Sequence, residues 1–261
     1  DYISVSWLAP HMDGIFVDSP GARRRFLDRL VIAFDPAHIG RMARYEKALR
    51  QRSILLTEGQ GDSDWLKSLE AVLAETAVAV TAARRALICD LNQEAENGWL
   101  GFPGVRLGLV GGTEKWLADM PALQVEDKLM VAAKAARLAG DTAMPGPHTS
   151  DLQAVHLTSK TPAYLASTGQ QKALLIAVVL AHARLQERRL GKSPLMLLDD
   201  VAAHLDADRR SALFEAVGLL GGQCWYSGSD KQQFDDLTGK AQFVEVRPAS
   251  RSDQTPEFEV K

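Results

Sequence analysis

Two short stretches decide how this chain reads: Ser167-Thr168-Gly169-Gln170-Gln171-Lys172 and Pro194-Leu195-Met196-Leu197-Leu198-Asp199-Asp200. The first is a small polar turn opening onto an apolar run at 173–181, the pattern of a helix start. The second is an apolar segment ending in two carboxylates, followed by Ala203-His204-Leu205-Asp206. It reads as a buried strand delivering acid to its C-terminal edge, which is how α/β proteins hold a metal at a phosphate.

Working outward, the periodicity predicts a helix over 168–189, a loop over 191–194, a strand to Leu198, a helix over 206–220, a strand at 223–226, a helix at 231–237 and a strand at 241–246. Such alternation implies a mainly parallel sheet. Upstream, the Gly/Pro-rich segment 140–147 marks a boundary, after which 152–157 has strand-like alternation. Before it the pattern is helical. Asp35 can cap and Pro36 suits a first turn, and Met42, Tyr45, Leu49 and Leu56 follow at heptad-like spacing. Residues 59–61 break that helix, and Asp62-Ser63-Asp64 offers a cap. Leu66, Leu69, Leu73, Val80, Leu87 and Leu91 then continue to about Asn97. The two helices read as an antiparallel hairpin. A short strand at 105–110 and an amphipathic helix at 125–138 complete the middle. The fold class is therefore α/β, a mainly parallel sheet with a helical lobe inserted. Its expected divisions are 1–10 and 146–261 for the α/β lobe and 11–145 for the helical one.

The chain has 261 residues, 46% apolar and 24% charged, ordinary for a globular protein. A formal charge of −3 excludes a global basic signature, so contact with nucleic acid would need a local patch. One exists: residues 23–52 hold nine Lys or Arg against three Asp or Glu. The two cysteines, Cys89 and Cys224, have no partner spacing for zinc or a disulfide framework, which suggests a reducing compartment. The longest apolar run is far short of the ~20 residues of a membrane helix, so no membrane partner is expected. Ile3, Val5 and Trp7 alternate with Ser4 and Ser6 as in a strand already under way, and a natural segment upstream of Asp1 is expected.

At a strand's end Asp199 and Asp200 can divide the work, Asp199 holding Mg²⁺ through water and Asp200 facing an attacking water. The plainer alternative is a solvated acidic turn. The Ser167 turn sits where a helix N-terminus offers an anion site; its alternative is an ordinary N-cap in which Gln170 or Gln171 reaches back. The arginines and lysine at Arg41, Arg44, Lys47 and Arg50 are either a solvated helix face or contacts to DNA phosphates. Arg23 to Arg25 are read as structural, pairing Asp28 or closing the lobes. His38, His148, His156, His182 and His204 show no ligand spacing.

In order and spacing these residues resemble ABC-type ATPases: signature turn, long helix, Walker B strand, D-loop at 203–206. Within that class the chain resembles the RecF family of recombination-repair ATPases, through Trp7-Leu8-Ala9-Pro10, Arg24-Arg25-Phe26-Leu27-Asp28, Gly146-Pro147-His148, the two opening stretches, Leu205-Asp206 with Arg209-Arg210, and Ser229-Asp230. The resemblance implies a head that dimerises around ATP. Ser167, Thr168, Gly169 and Gln170 would then meet the nucleotide in trans, Asp199 would serve Mg²⁺, Asp200 would be the base, Asp206 would lie in the dimer seam and Ser229 near the switch position. It further implies a cytoplasmic protein whose partners are duplex DNA, single-strand/double-strand junctions, RecR and a second copy of itself. Three departures stand out. His11 follows Pro10 where the family has Gln or Glu, Thr149 replaces an Arg, and no G-x-x-x-x-G-K-[ST] occurs, the segment 108–115 being only a decoy. Without that loop the chain alone is expected to be inactive toward ATP. The rival readings are a non-enzymatic interaction module and another ABC head of the SMC type.

Overall fold

A computed structural model of the chain describes residues 3–59, 63–246 and 258–260. Strand β1 (Val5–Leu8) leads into a 3-10 turn at Pro10–Met12. Helix α1 (Pro20–Ile32) starts where the Ser19 hydroxyl accepts from the Ala22 amide at 3.2 Å and Pro20 presets the first turn. Helix α2 (Ala37–Glu58) ends at Gly59, whose φ of 65° is the left-handed cap that glycine adopts without strain. Helix α3 (Ser63–Ala95) runs back beside it, giving the antiparallel hairpin that the leucine spacing predicts. The expected cap at Asp62 lies outside the described residues.

Strand β2 (Val105–Val110) is followed by the short helix α4 (Gly112–Asp119), which sequence periodicity missed, and by α5 (Ala122–Leu138). The decoy segment 108–115 is thus the end of a strand and the first turn of a helix. Strand β3 (Asp151–His156) and the short β4 (Thr161–Pro162) come next. Helix α6 (Thr168–Leu190), β5 (Leu195–Asp199), α7 (Ala207–Leu219) and β6 (Cys224–Ser227) then alternate as predicted. Residues Lys231–Leu237 form a 3-10 helix, and β7 (Val244–Val246) pairs with β8 (Phe258–Val260).

The parallel sheet has the order β1-β5-β6, with Leu8 beside Leu198 and Leu198 beside Tyr226. Beside the antiparallel β2–β3 pair, two expectations need correction, the place of β7 and the burial of β5. Strand β3 does not enter this sheet; it pairs antiparallel with β2, Leu107 opposite Ala154. Strand β7 does not join it either, pairing antiparallel with β8. Strand β5 is buried on one face only. Met196 and Leu198 are covered, whereas Leu197 is 38% exposed and Trp225, beside it, 58%. Alternation along a strand puts those side chains on opposite faces.

Helix α6 is buried on almost every side, from Gln171 through Ala183, and forms the centre of the main core. That core joins β1, α1, the C-terminal half of α3, both larger sheets and α7 around Leu27, Leu91, Leu174, Leu175 and Leu198. A helix apolar all round belongs in such a position. A second core holds Tyr45, Leu73, Ala77, Val125 and Leu129 between α2, α3 and α5. There the buried Arg52 and the partly exposed Arg137 both reach Glu70, at 3.2 and 3.1 Å, and Arg52 also donates to the carbonyls of Ala133 and Thr142. No described helix is long and apolar enough to cross a membrane.

Candidate functional site

Because β1 and β5 are parallel and in register at Leu8 and Leu198, the segments that follow them leave the sheet at the same end. Asp199 closes β5 and is exposed, and its Oδ1 accepts a hydrogen bond from Ser227 Oγ on β6. The chain turns sharply at Asp200, whose φ is +50°, a left-handed backbone that few non-glycine residues adopt. Its amide donates to the Ser227 carbonyl at 3.1 Å, while its buried Oδ1 has no hydrogen-bond partner among the described residues. A buried carboxylate oxygen left unpaired is costly, of the order of 1–3 kcal/mol. His11, exposed in the turn after β1, and Ser229, exposed two residues past β6, stand on the segments leaving this same end. The sheet thus brings together Asp199, Asp200, Ser227 and the loops bearing His11 and Ser229. Ser227 was not picked out in the sequence; its signal is only its place at the end of a strand in register with Asp199.

The turn at Ser167 is a complete capping box. Ser167 Oγ accepts from the Gln170 amide at 3.4 Å, and Gln170 Oε1 accepts from the Ser167 amide at 3.1 Å. The N-cap alternative therefore describes what these side chains do within the chain, and Ser167, Thr168, Gly169 and Gln170 remain exposed. Asp206 caps α7 in turn, accepting from the Arg209 amide at 2.8 Å. A Cβ placed on Gly169 would lie 3.9 Å from Arg209 Nη1, so the Ser167 turn and the start of α7 are neighbours. A cleft of about 330 Å³ lined by Phe16, Val17, Arg23, Asp151 and Tyr164 contains none of these residues.

Between the two cores runs a polar seam. Arg84, fully buried, grips Asp28 through two hydrogen bonds of 2.7 Å and donates to the Pro147 carbonyl at 2.7 Å. His38 Nε2 meets Asp28 Oδ1 at 2.8 Å. Burial alone would raise the Asp28 pKa, but its bonds to His38 and Arg84 outweigh that and hold it below the ordinary carboxylate value. Tyr45 and His148 bond at 2.6 Å; burial, helped by Arg24, lowers the His148 pKa. Arg24 donates to the Ser150 carbonyl, and Arg23 makes a bidentate pair with Asp151 at 2.7 and 2.9 Å. Arg23 and Arg24 thus tie α1 to the first residue of β3 and the residue before it. The expectation that they pair with Asp28 is corrected: Arg84 and His38 occupy that carboxylate.

On α2 the basic residues differ in freedom. Arg41 is held by Asp35 at 2.6 and 3.2 Å, and Arg44 reaches Glu75 at 3.3 Å with both side chains more than half exposed. Lys47 and Arg50 are exposed.

No protein-family model matches the chain. Among curated proteins it is 43% identical over 254 residues to the DNA replication and repair protein RecF of Mesorhizobium japonicum, covering 94% of this chain and 66% of that one. It is 42% identical over 253 residues to the protein of the same description from Brucella abortus, covering 94% of this chain and 65% of the relative. With that of Allorhizobium ampelinum it shares 41% over 255 residues, covering 94% and 67%. The chain thus spans about two thirds of the length of these relatives. Among solved structures, that of the recombination mediator protein RecF-ATPrS in the RecFOR pathway superposes with a TM-score of 0.74 at 20% identity, over 89% of this chain and 64% of that one. The RecF-ATP structure of the same pathway gives a TM-score of 0.71 at 21% identity, covering 88% and 64%. These two establish the fold.

Proposed function

The chain belongs to the RecF family of DNA replication and repair proteins, and we propose that it is the larger part of an ABC-type ATPase whose ATP-driven dimerisation controls a clamp on duplex DNA near single-strand gaps. The observation that carries this reading is Asp200. A left-handed residue directly after the last position of a parallel strand, beside the exposed Asp199, puts a carboxylate at the sheet edge where a general base would stand. Asp199 beside it is exposed and hydrogen-bonded to Ser227, an all-oxygen donor set that fits Mg²⁺. The ion, when bound, would neutralise charge on the phosphate oxygens.

In this reading the exposed capping-box turn acts across a dimer. Its helix N-terminus and the Ser167, Thr168, Gly169 and Gln170 groups face the γ-phosphate held by the opposite copy, and Asp206 lies in the seam between copies. Ser229 stands at the switch position and His11 where a Gln or Glu is usual. The inserted helical lobe lies within residues 11–145, although β2 of that range pairs with β3 beyond it, and the basic face of α2 meets DNA phosphates. RecR, DNA coated with single-strand-binding protein and a second copy of the chain are the partners, in the cytoplasm.

The test is ATP hydrolysis by the full-length protein with and without gapped DNA. Hydrolysis is expected, and Asp200→Asn should remove it while ATP binding is retained. An unchanged rate in Asp200→Asn would rule out the assignment of the base.

A further inference from the structure

Lys172 and Asp13 are 159 positions apart, yet Lys172 Nζ donates to Asp13 Oδ2 at 3.1 Å. The lysine side chain is 6% exposed and that of Asp13 35%. We propose that this pair is a positioning link: it fixes the Ser167 turn against the loop that follows β1, and so couples the half-site beside Asp199 and Asp200 to the half-site that the same chain offers to its dimer partner. The inference rests on the proposed dimeric ATPase.

The argument is geometric. The loop after β1 leaves the sheet at the end where Asp199 and Asp200 lie. It is stiff, since the Met12 amide donates to the Ala9 carbonyl at 2.9 Å and the Asp13 amide to the Pro10 carbonyl at 3.1 Å. Asp13 is therefore held at a set distance from the strand end. Lys172 lies in the opening turns of α6, and that start is pinned too, by the capping box and by Gln171 Nε2 donating to the Ala166 carbonyl at 2.9 Å. An ion pair between two rigid segments transmits displacement, because neither end can absorb it by local rearrangement. Movement of the β1 loop on filling of its own half-site would reach Ser167 and Gly169.

Stability alone does not call for a lysine here. A buried ammonium carries a desolvation cost that its partner only offsets, and an apolar residue in its place often does as well or better. The pair acts through the turn and touches no substrate, so Lys172 and Asp13 are positioning residues.

The experiment compares full-length wild type with Lys172→Met, Lys172→Arg, Asp13→Asn and the swap Lys172→Asp with Asp13→Lys. ATP affinity, ATP-dependent dimerisation by sedimentation, turnover and melting temperature are measured for each. Lys172→Met and Asp13→Asn are expected to lower dimerisation and turnover about tenfold, the usual size of a coupling effect. ATP affinity of the monomer, measured at low protein concentration, should stay unchanged, and Lys172→Arg should restore most of the loss. Should Lys172→Met fail to fold, the half-exposed Asp13→Asn decides. Wild-type turnover in Asp13→Asn, or a loss matched by equal losses of ATP affinity and melting temperature, would overturn the link. A wild type that neither hydrolyses ATP nor dimerises would instead sink the proposed function on which the link rests.

Discussion

Arg84 meets Asp28 head-on, Nε to Oδ1 and Nη2 to Oδ2 at 2.7 Å each, with the arginine side chain 1% exposed. Fifty-six positions separate the two residues, and the pair joins α1 to α3 while Nη1 holds the Pro147 carbonyl. Removing the carboxylate would leave a buried guanidinium without its counter-charge. Asp28→Asn is therefore expected to cost about 3–5 kcal/mol, read as a lower urea midpoint with an unchanged slope. A loss under about 1 kcal/mol would mean that the buried guanidinium finds other partners.

His182 sets an acid limit on the fold. Its Nε2 lies 2.9 Å from the Leu30 carbonyl and its Nδ1 3.0 Å from Gln186 Nε2, an arrangement that suits the neutral ring. Burial lowers its pKa to about 4, against 6.5 for the ordinary group. The unfolded chain binds the proton more readily, so this contribution is whole above pH 6.5 and is lost as pH falls through 4. It amounts to about 3 kcal/mol at most. Urea denaturation of the wild type and His182→Gln at a series of pH values should show a shallower acid slope in the variant over that window.

The capping box at Ser167 was readable in the sequence because its two bonds span only three residues, and the α2–α3 hairpin because leucine spacing records which face is buried. Helix α1 was not. Arg23, Arg24 and Arg25 interrupt its apolar period, and the partners that make two of them structural, Asp151 and the Ser150 carbonyl, lie 128 and 126 positions away. Strand pairing is non-local in the same way. The alternation at β3 announces a strand, but nothing in it says that β2 is the neighbour. For the site, the carboxylates of Asp199 and Asp200 could be named from the apolar run before them. Their unequal environments could not, since Ser227 and the unpaired Oδ1 arise only when β6 is laid beside β5.

Gly146 leaves room for the seam. A Cβ there would collide with Tyr45 Oη and stand 3.0 Å from His148 Nδ1, the two groups joined by the 2.6 Å bond. Tyr45 is 1% exposed and has little space to retreat. Gly146→Ala should cost about 1–3 kcal/mol by overpacking. Adding Tyr45→Phe, which removes the colliding oxygen, should recover part of it. Thermal melts of the single and double variants check this; equal melting temperatures for both would place the strain elsewhere.

The basic face of α2 yields a graded prediction for DNA. Phosphate contacts act through charge and release of counter-ions, so each cation that engages a phosphate adds about 0.9 to the slope of log affinity against log salt. Arg41 is already committed to Asp35, whose carboxyl its bond pulls below the usual range. Arg44 shares an exposed pair with Glu75 that solvent weakens, and Lys47 and Arg50 stand on the open surface. If the face binds duplex DNA, alanine at Arg44, Lys47 and Arg50 together should flatten the salt slope of the full-length protein by about 2–3, whereas Arg41→Ala should change it by far less. Titration of a gapped duplex by fluorescence anisotropy at four salt concentrations measures the slopes. Equal effects from Arg41 and Arg50 would mean that Asp35 releases its arginine on binding, and parallel slopes for all variants would make α2 an ordinary solvated helix.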